Sequence, residues 1–215
     1  MKNIVLQPSF YSKFECIGSK CKFNCCTHTW RINFKKEEFR NIKRKIKTEE
    51  FREKFKDAFE MPKGEDNYLI KFDERGDCRF LDEDGLCSVY KEVGPENMSL
   101  TCKIFPRFCT YYIDRYECFL SIGCEEVIRL LLKEKEGISL EVIEREVEDF
   151  EKQSSERIVI NKHKIKDNTV YYWNDLKILL LGVLQNREYT FGERMVVLGL
   201  AMRKVHEMQE NNLFH

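Results

Sequence analysis

The sequence lacks any apolar run long enough to cross a membrane. Its longest aliphatic stretch, Ile178-Leu179-Leu180-Leu181, falls far short of the roughly 18 residues that a membrane-spanning helix needs. The opening segment MKNIVLQPSFYSKF also lacks the apolar core and the cleavage site of a secretory signal peptide. We therefore expect a cytoplasmic protein without a membrane partner.

An excess of charge of one sign is also missing. The 215 residues contain 37 Lys and Arg and 37 Asp and Glu, which gives a net charge of zero. Nucleic-acid-binding proteins that act through bulk charge show a basic excess, so we expect no nucleic-acid partner. The local basic run Lys43-Arg44-Lys45 with Lys47 stands between acidic residues on a predicted helix, and we interpret it as a solvated helix face.

Cysteine, in contrast, is plentiful. Eight of the ten cysteines fall in four groups, and the first group places four thiols within eleven residues. The groups are Cys16, Cys21, Cys25 and Cys26; Cys78 and Cys87; Cys102; and Cys124. In a reducing compartment, closely spaced cysteines are more often metal ligands or redox groups than structural disulfides. The pattern therefore predicts a metal centre.

Thiolates are soft ligands that suit both zinc and iron–sulfur clusters. Spacings of two to four residues allow one loop to wrap one metal, and they leave the choice between zinc and a cluster open. Cys25 and Cys26 are adjacent, so their side chains diverge; they serve two centres, or only one of them is a ligand. Cys109 and Cys118 lie on or beside predicted strands, and we expect them to be small buried apolar residues.

Periodicity predicts a fold that is α+β but mostly α. An apolar repeat indicates a helix over residues 36–60, with a strand over 68–72, a turn-rich segment over 73–88 and a hairpin over 111–120. Helices are expected from just after Cys124 to Leu132, after Ser139, from a cap at Asn168 to about Leu184, and after Thr190, which forms a capping box with Glu193. Residues 156–166 are ambiguous and could form an edge strand.

These elements predict two domains. Residues 1–135 would form an irregular, metal-organised, cysteine-rich domain with one inserted helix. Residues 136–215, which contain no cysteine, would form a helical tail packed on it. The chemistry is therefore expected in the first domain.

Four ordered motifs resemble one known family. They are FECIGSKCKFNCCTHTW, CRFLDEDGLCSVY, Met98-Ser99-Leu100-Thr101-Cys102 followed by Lys103-Ile104-Phe105-Pro106-Arg107, and SIGCEEVIRL. In this order they closely resemble the flagellin lysine-N-methylase family, which belongs to proteins with a CxxCxxCC-type cysteine cluster. The resemblance covers about residues 1–135 by motif. Members of that family are usually much longer, so the chain resembles a short or truncated member.

The resemblance implies an enzyme that methylates lysine side chains of flagellin. It implies a [4Fe–4S] cluster and S-adenosylmethionine as cofactors, with zinc as the alternative metal. The family's ligands correspond to Cys16, Cys21, Cys25, Cys26, Cys78, Cys87, Cys102 and Cys124, whereas Cys109 and Cys118 have no place in the pattern. Because the sequence has no GxGxxG loop of the dinucleotide-binding type, S-adenosylmethionine would instead bind an iron that lacks a protein ligand.

Other residues offer weaker hypotheses. Arg107 could pair with a carboxylate of the cofactor or the substrate, although a salt bridge to an acidic neighbour in the protein explains it better. Trp30 and Phe80 would shield the cluster from water, and His28 is a possible further ligand. The acidic residues Asp82, Glu83 and Asp84 are better explained as a polar turn than as a docking site for a basic substrate. No residue stands out as the general base that a lysine substrate requires.

Two other classes of function fit the same cysteines. One is a non-enzymatic interaction module in which zinc or a cluster holds the fold together. The other is an electron-transfer or redox-sensing iron–sulfur protein. Binding of S-adenosylmethionine distinguishes the enzyme from both.

Overall fold

The protein is described by a computed structural model. The structure describes residues 2–27, 32–112, 114–154, 156–158 and 172–211. The chain divides into two compact units. The first consists of Met1–Lys135 and Ser139–Arg157, and the second of Glu136–Ile138 and Ile158–His215. His28, Trp30, Asn168 and most of the ambiguous segment 156–166 lie outside the described residues.

Strands and helices both contribute to the fold, as the sequence predicted. The strands are β1 (Asn3–Pro8), β2 (Asn33–Phe34), β3 (Phe59–Glu60), β4 (Tyr68–Ile70), β5 (Arg107–Tyr112), β6 (Arg115–Leu120), β7 (Leu140–Arg145) and β8 (Glu156–Ile158). The α-helices are α1 (Lys36–Lys45), α2 (Glu49–Asp57), α3 (Ser88–Val93), α4 (Leu100–Ile104), α5 (Glu125–Lys133), α6 (Asp149–Ser154), α7 (Trp173–Gln185) and α8 (Phe191–Glu210). Within the described residues, no helix combines the length and the apolar character needed to cross a bilayer.

The larger sheet of the first unit has the strand order β7-β1-β6-β5-β8. Strand β1 runs parallel to β6 and antiparallel to β7. β5 and β6 form the predicted antiparallel hairpin, with Arg107 opposite Leu120 and Tyr112 opposite Arg115. One face of this sheet and α5 bury an apolar core that includes Val5, Cys118 and Val127.

The helix expected after Ser139 is wrong. Residues Leu140–Arg145 form β7, which pairs with β1 along its whole length from Asn3 opposite Arg145 to Pro8 opposite Leu140. The apolar spacing of Leu140, Ile143 and Val147 fits a helical face, but the adjacent β-branched residues Val142 and Ile143 also suit a strand. Pairing with the edge of β1, a strand distant in sequence, makes this segment a strand and not a helix.

A second core in the same unit is aromatic. The small sheet β2-β4-β3 packs with α1 and α2 around Phe34, Phe55, Phe59 and Phe80, all of which are buried. The rings of Phe55, Phe59 and Phe80 lie 4.9–6.3 Å apart in tilted or edge-to-face arrangements, which aromatic pairs prefer. This core supports the segments that carry Cys26, Cys78, Cys87 and Cys102, which pack against it or lie in it.

The single helix predicted over 36–60 is in fact two. Helix α1 ends at Lys45, and α2 begins after Thr48, whose side chain accepts the backbone N–H of Phe51 at 3.3 Å. Glu92 accepts the backbone N–H groups of Lys47 and Thr48, both at 2.6 Å. Glu92 is distant in sequence, and these hydrogen bonds satisfy the backbone N–H groups at the break between the two helices. Apolar periodicity alone does not reveal this break.

Thr48→Ala is expected to destabilise the first unit by about 1 kcal/mol, because it removes the N-cap of α2. The free energy of unfolding in urea measures this loss. Thr48→Ser keeps the capping oxygen and is the matched control. An equal loss in both variants would contradict the capping role.

The second unit contains α7 and α8. Helix α8 begins with the predicted capping box, in which Thr190 accepts the backbone N–H of Glu193, and Glu193 accepts that of Thr190. Helix α7 ends at Gln185, within one residue of the predicted end.

Candidate metal centre

Five of the eight predicted ligand cysteines line one cavity. Its volume is about 530 Å³, including space open to solvent, and its thiols are Cys25, Cys26, Cys78, Cys87 and Cys102. The rest of the wall is largely apolar and includes Phe34, Phe80 and Val89. We call this space the thiol cavity. The predicted placement of Phe80 beside the thiols agrees with its position in this wall.

Backbone pairing brings the first two cysteine groups together. The N–H of Cys78 donates to the carbonyl of Cys26 at 2.8 Å, and Thr27 forms an isolated bridge with Asp77. A further bridge joins Leu81 to Cys87. The motifs at 16–26 and 78–87 are thus held against each other by short stretches of β pairing.

Asn24 fixes the turn that carries Cys25 and Cys26. Its side-chain amide donates to the carbonyl of Gly85 at 2.9 Å, and its side-chain oxygen accepts the N–H of Cys26 at 2.9 Å. Gly85 has a φ of +77°, a conformation that a residue with a Cβ rarely adopts. The turn therefore depends on Asn24 and Gly85, and both adjacent thiols line the same cavity.

The thiols of the adjacent pair interact. A hydrogen bond from the Cys26 thiol lowers the pKa of Cys25 to about 7, against the opposing effect of burial. The same hydrogen bond, together with burial and the charges of Cys25, Cys78 and Cys87, raises the pKa of Cys26. Cys25 is therefore the more readily ionised member of the pair.

Cys87 and Cys102 lie at helix starts. Cys87 is the N-cap residue of α3, and Cys102 lies in the first turn of α4, where its N–H donates to the buried Ser99 hydroxyl at 3.2 Å. Burial raises the pKa of Cys87, and the N–H groups of Tyr90 and Val89 act in the opposite direction. Burial, aided by the charges of nearby cysteines, raises the pKa of Cys102 to about 12. Helix N-termini favour negative charge, so these positions suit thiolate ligands.

The other three cysteines form a second group. Cys124 is the N-cap residue of α5. The Cys21 thiol donates to Glu125 at 3.6 Å, and Glu125 also accepts the N–H groups of Lys22 and Phe23 at 2.7 and 3.0 Å. Burial raises the pKa of Cys124, which the charges of Cys16 and Cys25 raise further. The charge of Cys25 thus contributes to the raised pKa of one cysteine in each group, Cys102 and Cys124.

The sulfurs of the eight predicted ligands are not gathered as closely as they would be around one bound zinc ion. In the part of the chain that the structure describes, no three of these eight sulfurs lie within 4.8 Å of one another. A single tetrahedral zinc with Zn–S bonds of about 2.3 Å holds its sulfurs about 3.8 Å apart.

Arg107 lies outside the lining of the thiol cavity. Its guanidinium donates to the carbonyl of Phe14 at 3.2 Å and lies 4.8 Å from the centre of the Phe14 ring. Its predicted pairing with a cofactor or substrate carboxylate therefore stays a prediction.

The acidic turn is neutralised by lysines. Asp82 pairs with Lys54 at 2.6 Å and with Lys91 at 2.8 Å, and Asp84 pairs with Lys91 at 2.6 Å. These pairs agree with the interpretation of Asp82, Glu83 and Asp84 as a polar turn.

A buried polar cluster in the first unit was not predicted from the sequence. Glu151, only 2% exposed, accepts two hydrogen bonds from Arg145 at 2.8 and 2.9 Å and one from the Tyr11 hydroxyl at 2.6 Å. Beside it, Cys109 and Cys118 are buried as predicted, but they are joined by a disulfide bond across the hairpin. Tyr11 and Glu151 are separated by 140 residues, and no local motif signals their contact.

The sequence of this chain is similar to those of three bacterial proteins. The chain is 32% identical over 153 residues to the flagellar biosynthetic protein FliU of Salmonella muenchen, a match that covers 65% of this chain and 84% of that protein. It is also 32% identical over 146 residues to the lysine-N-methylases of Salmonella typhimurium (strain LT2) and Salmonella choleraesuis (strain SC-B67). Those matches cover 65% of this chain and 35% of each relative. The chain thus spans about a third of the length of these lysine-N-methylases.

No protein-family model matches the chain, and no solved structure matches it. The identity to FliU over most of that protein's length, with the matches to two lysine-N-methylases, confirms the resemblance drawn from the cysteine motifs. The chain therefore belongs to the flagellin lysine-N-methylase family.

Proposed function

We propose that this chain forms the iron–sulfur centre of an S-adenosylmethionine-dependent lysine N-methyltransferase that acts on flagellin in the cytoplasm. The observation that carries the proposal is the convergence of five cysteines from three sequence motifs on the thiol cavity. The names of the relatives, lysine-N-methylase and flagellar biosynthetic protein, supply the reaction and the substrate class.

The donor set suits an iron–sulfur group. All eight residues are thiols, which are the ligands that such clusters use. Burial and mutual repulsion raise the pKa values of Cys26, Cys87, Cys102 and Cys124. A bound cation would relieve this repulsion, and metal binding would release the thiol protons. In this proposal the metal ligands are drawn from Cys16, Cys21, Cys25, Cys26, Cys78, Cys87, Cys102 and Cys124.

When bound, a [4Fe–4S] cluster with one iron free of protein ligands would offer a binding point for the amino and carboxyl groups of S-adenosylmethionine. The chain's own residues do the rest. Phe34, Phe80 and Val89 exclude water from the thiol cavity, and a dry environment strengthens the electrostatic interactions within it. The N–H groups at the starts of α3 and α5 stabilise the thiolates of Cys87 and Cys124.

Methyl transfer is tested with anaerobically purified protein whose iron and sulfide have been restored. The protein is incubated with flagellin from the same cell and isotopically labelled S-adenosylmethionine, and flagellin lysines are analysed by mass spectrometry. We expect labelled methyl groups on lysine side chains and a visible spectrum that changes when S-adenosylmethionine is added.

Each other result contradicts a defined part of the proposal. A spectrum that responds to S-adenosylmethionine without methyl transfer would support the cofactor site but refute the methyltransferase activity. Reversible cluster reduction with no response to S-adenosylmethionine would indicate an electron-transfer or redox-sensing protein. Colourless protein that holds zinc would refute the iron–sulfur centre and indicate a non-enzymatic metal-binding module.

A further inference from the structure

We propose that Cys109 and Cys118 form a buried, reversible dithiol–disulfide site that exchanges with low-molecular-weight thiols and disulfides of the glutathione type. This site is separate from the thiol cavity, whose lining includes neither residue. Four observations carry the proposal: the position of the pair in the hairpin, the polar groups beside it, its cover, and the short loop that it closes.

The hairpin holds the pair in place in either oxidation state. Cys109 lies directly opposite Cys118, with Cα atoms 4.2 Å apart, as in a non-hydrogen-bonded pair of an antiparallel ladder, where side chains are closest. The neighbouring pairs Phe108–Phe119 and Thr110–Glu117 keep the register. The backbone therefore keeps the two sulfurs adjacent whether or not they are bonded.

The disulfide contributes little that the hairpin lacks. The two cysteines are only nine residues apart, and a cross-link that closes a short loop restricts the unfolded chain less than one that closes a long loop. The register is already set by backbone pairing. The bond can consequently open without loss of the fold, which a reversible site requires.

In the reduced state, the Cys109 thiol would have a hydrogen-bond acceptor beside it, the carboxylate of Glu151. The Cys109 sulfur lies 3.7 Å from a carboxylate oxygen of Glu151 and 3.9 Å from the Tyr11 hydroxyl. A disulfide has no proton to donate to this carboxylate, whereas a Cys109 thiol does. Arg145 and Tyr11 hold Glu151 in place. The surroundings of the pair thus accommodate the dithiol as well as the disulfide.

A short segment of the chain, helix α6, covers the cysteine pair. Glu151 belongs to α6, a helix of six residues that packs against β5. Cys109 is 4% exposed and Cys118 is fully buried, so exchange requires local opening. Short elements open at lower free energy than the core of a domain. Opening of α6 would remove Glu151 from beside the Cys109 sulfur.

The exchange balances in atoms and electrons. In oxidation, the Cys109 thiolate attacks a sulfur of the small disulfide, forms a mixed disulfide and releases one small thiolate. The Cys118 thiolate then attacks the Cys109 sulfur, the internal S–S bond forms, and the second small thiolate leaves. The protein loses two protons and two electrons, and the small disulfide is reduced to two thiols. Reduction follows the same steps in reverse.

The test equilibrates the full chain anaerobically in buffers of graded ratios of reduced to oxidised glutathione, starting from both oxidised and reduced protein. After acid quenching, free thiols are alkylated and the protein is digested with trypsin. Cleavage after Arg107, Arg115 and Arg129 places the two cysteines on separate peptides, 108–115 and 116–129, which stay joined only if the bond is present. We expect the joined fraction to follow the glutathione ratio and to agree from both starting points.

Three outcomes would overturn the proposal. Peptides joined even in a large excess of reduced glutathione would indicate a permanent structural disulfide. Peptides never joined would indicate two packed thiols. Zinc retained by the reduced wild-type chain, and lost in Cys109→Ser/Cys118→Ser, would indicate that Cys109, Cys118 and Glu151, whose ligand atoms lie within 4.8 Å of one another, form a metal site instead.

Glu151→Gln tests the role of the carboxylate. An amide is a weaker acceptor than a carboxylate, so the dithiol loses support and the ratio of reduced to oxidised glutathione at half oxidation should rise about fivefold. Glu144→Gln, at an exposed position on β7, is the matched control and should leave the ratio unchanged. Equal ratios in the two folded variants would refute the assigned role of Glu151, while the wild-type equilibration tests the redox site independently.

Discussion

Cys87→Ser is expected to remove most of the bound iron and sulfide from the anaerobically restored protein and to abolish flagellin methylation. Cys87 lines the thiol cavity and is the N-cap residue of α3, and backbone N–H groups of Tyr90 and Val89 oppose the burial that raises its pKa. A serine hydroxyl is close to the thiol in size and is favoured at the N-cap position of α3, but it is a poor ligand for a thiophilic metal. Loss of the cluster would therefore reflect ligand chemistry and not a packing defect.

Iron and acid-labile sulfide analysis, the visible spectrum and the methyl-transfer assay measure this effect. The control is the double variant Cys109→Ser/Cys118→Ser, which also loses two thiols from the first unit but none from the thiol cavity. It should keep its full iron content under the same reducing conditions. Normal iron in Cys87→Ser, or equal losses in both variants, would contradict the assignment of Cys87 as a ligand.

Arg145→Ala is expected to destabilise the first unit by about 3–5 kcal/mol, the usual cost of removing one partner of a buried ion pair. Arg145 donates two hydrogen bonds to Glu151, whose side chain is almost completely buried, and a third to Gln7 at 3.0 Å. The variant leaves a buried carboxylate without this guanidinium. Urea unfolding at neutral pH measures the loss.

The same pair predicts a pH dependence. Burial by itself raises the pKa of Glu151, but hydrogen bonds from Arg145 and Tyr11 outweigh it and lower the pKa overall. A lowered folded-state pKa stabilises the protein above the unfolded value of about 4.3, and this contribution is lost as the pH falls through the folded-state pKa. The stability difference between wild type and Arg145→Ala should therefore be full at neutral pH and shrink below about pH 4.

Arg75→Ala is the matched control for this prediction. The Arg75 side chain is 80% exposed and pairs with Asp73 and Asp77 on the surface. Exposed ion pairs contribute about 0–1 kcal/mol, so this variant should be nearly as stable as wild type. A similar small loss in Arg145→Ala would mean that the pair with Glu151 contributes no more than a surface contact.

The sequence predicted those features whose signals are local. The capping box of Thr190 and Glu193, the hairpin that turns near Asp114 and the helix that follows Cys124 each depend on residues a few positions apart. The cysteine motifs were local as well, and they were sufficient to place the chain in its family.

The errors concern residues whose partners are distant in sequence. Leu140–Arg145 is a strand because β1 pairs with it, and the break at Thr48 is supported by Glu92. Glu151 gave no signal, because a glutamate in a charged segment resembles any solvated residue until Tyr11 and Arg145 enclose it.

The sequence by itself determined the family and the set of eight thiols on which the proposed chemistry depends, because eight thiols in four ordered motifs are a matter of residue type and spacing. Only the tertiary structure decided which thiols share a cavity, that Arg107 contacts Phe14, and that Cys109 and Cys118 face a buried carboxylate. The physical reason is that these contacts join segments up to 140 residues apart. Strand pairing and packing bring such segments together, and no local pattern of residues encodes them.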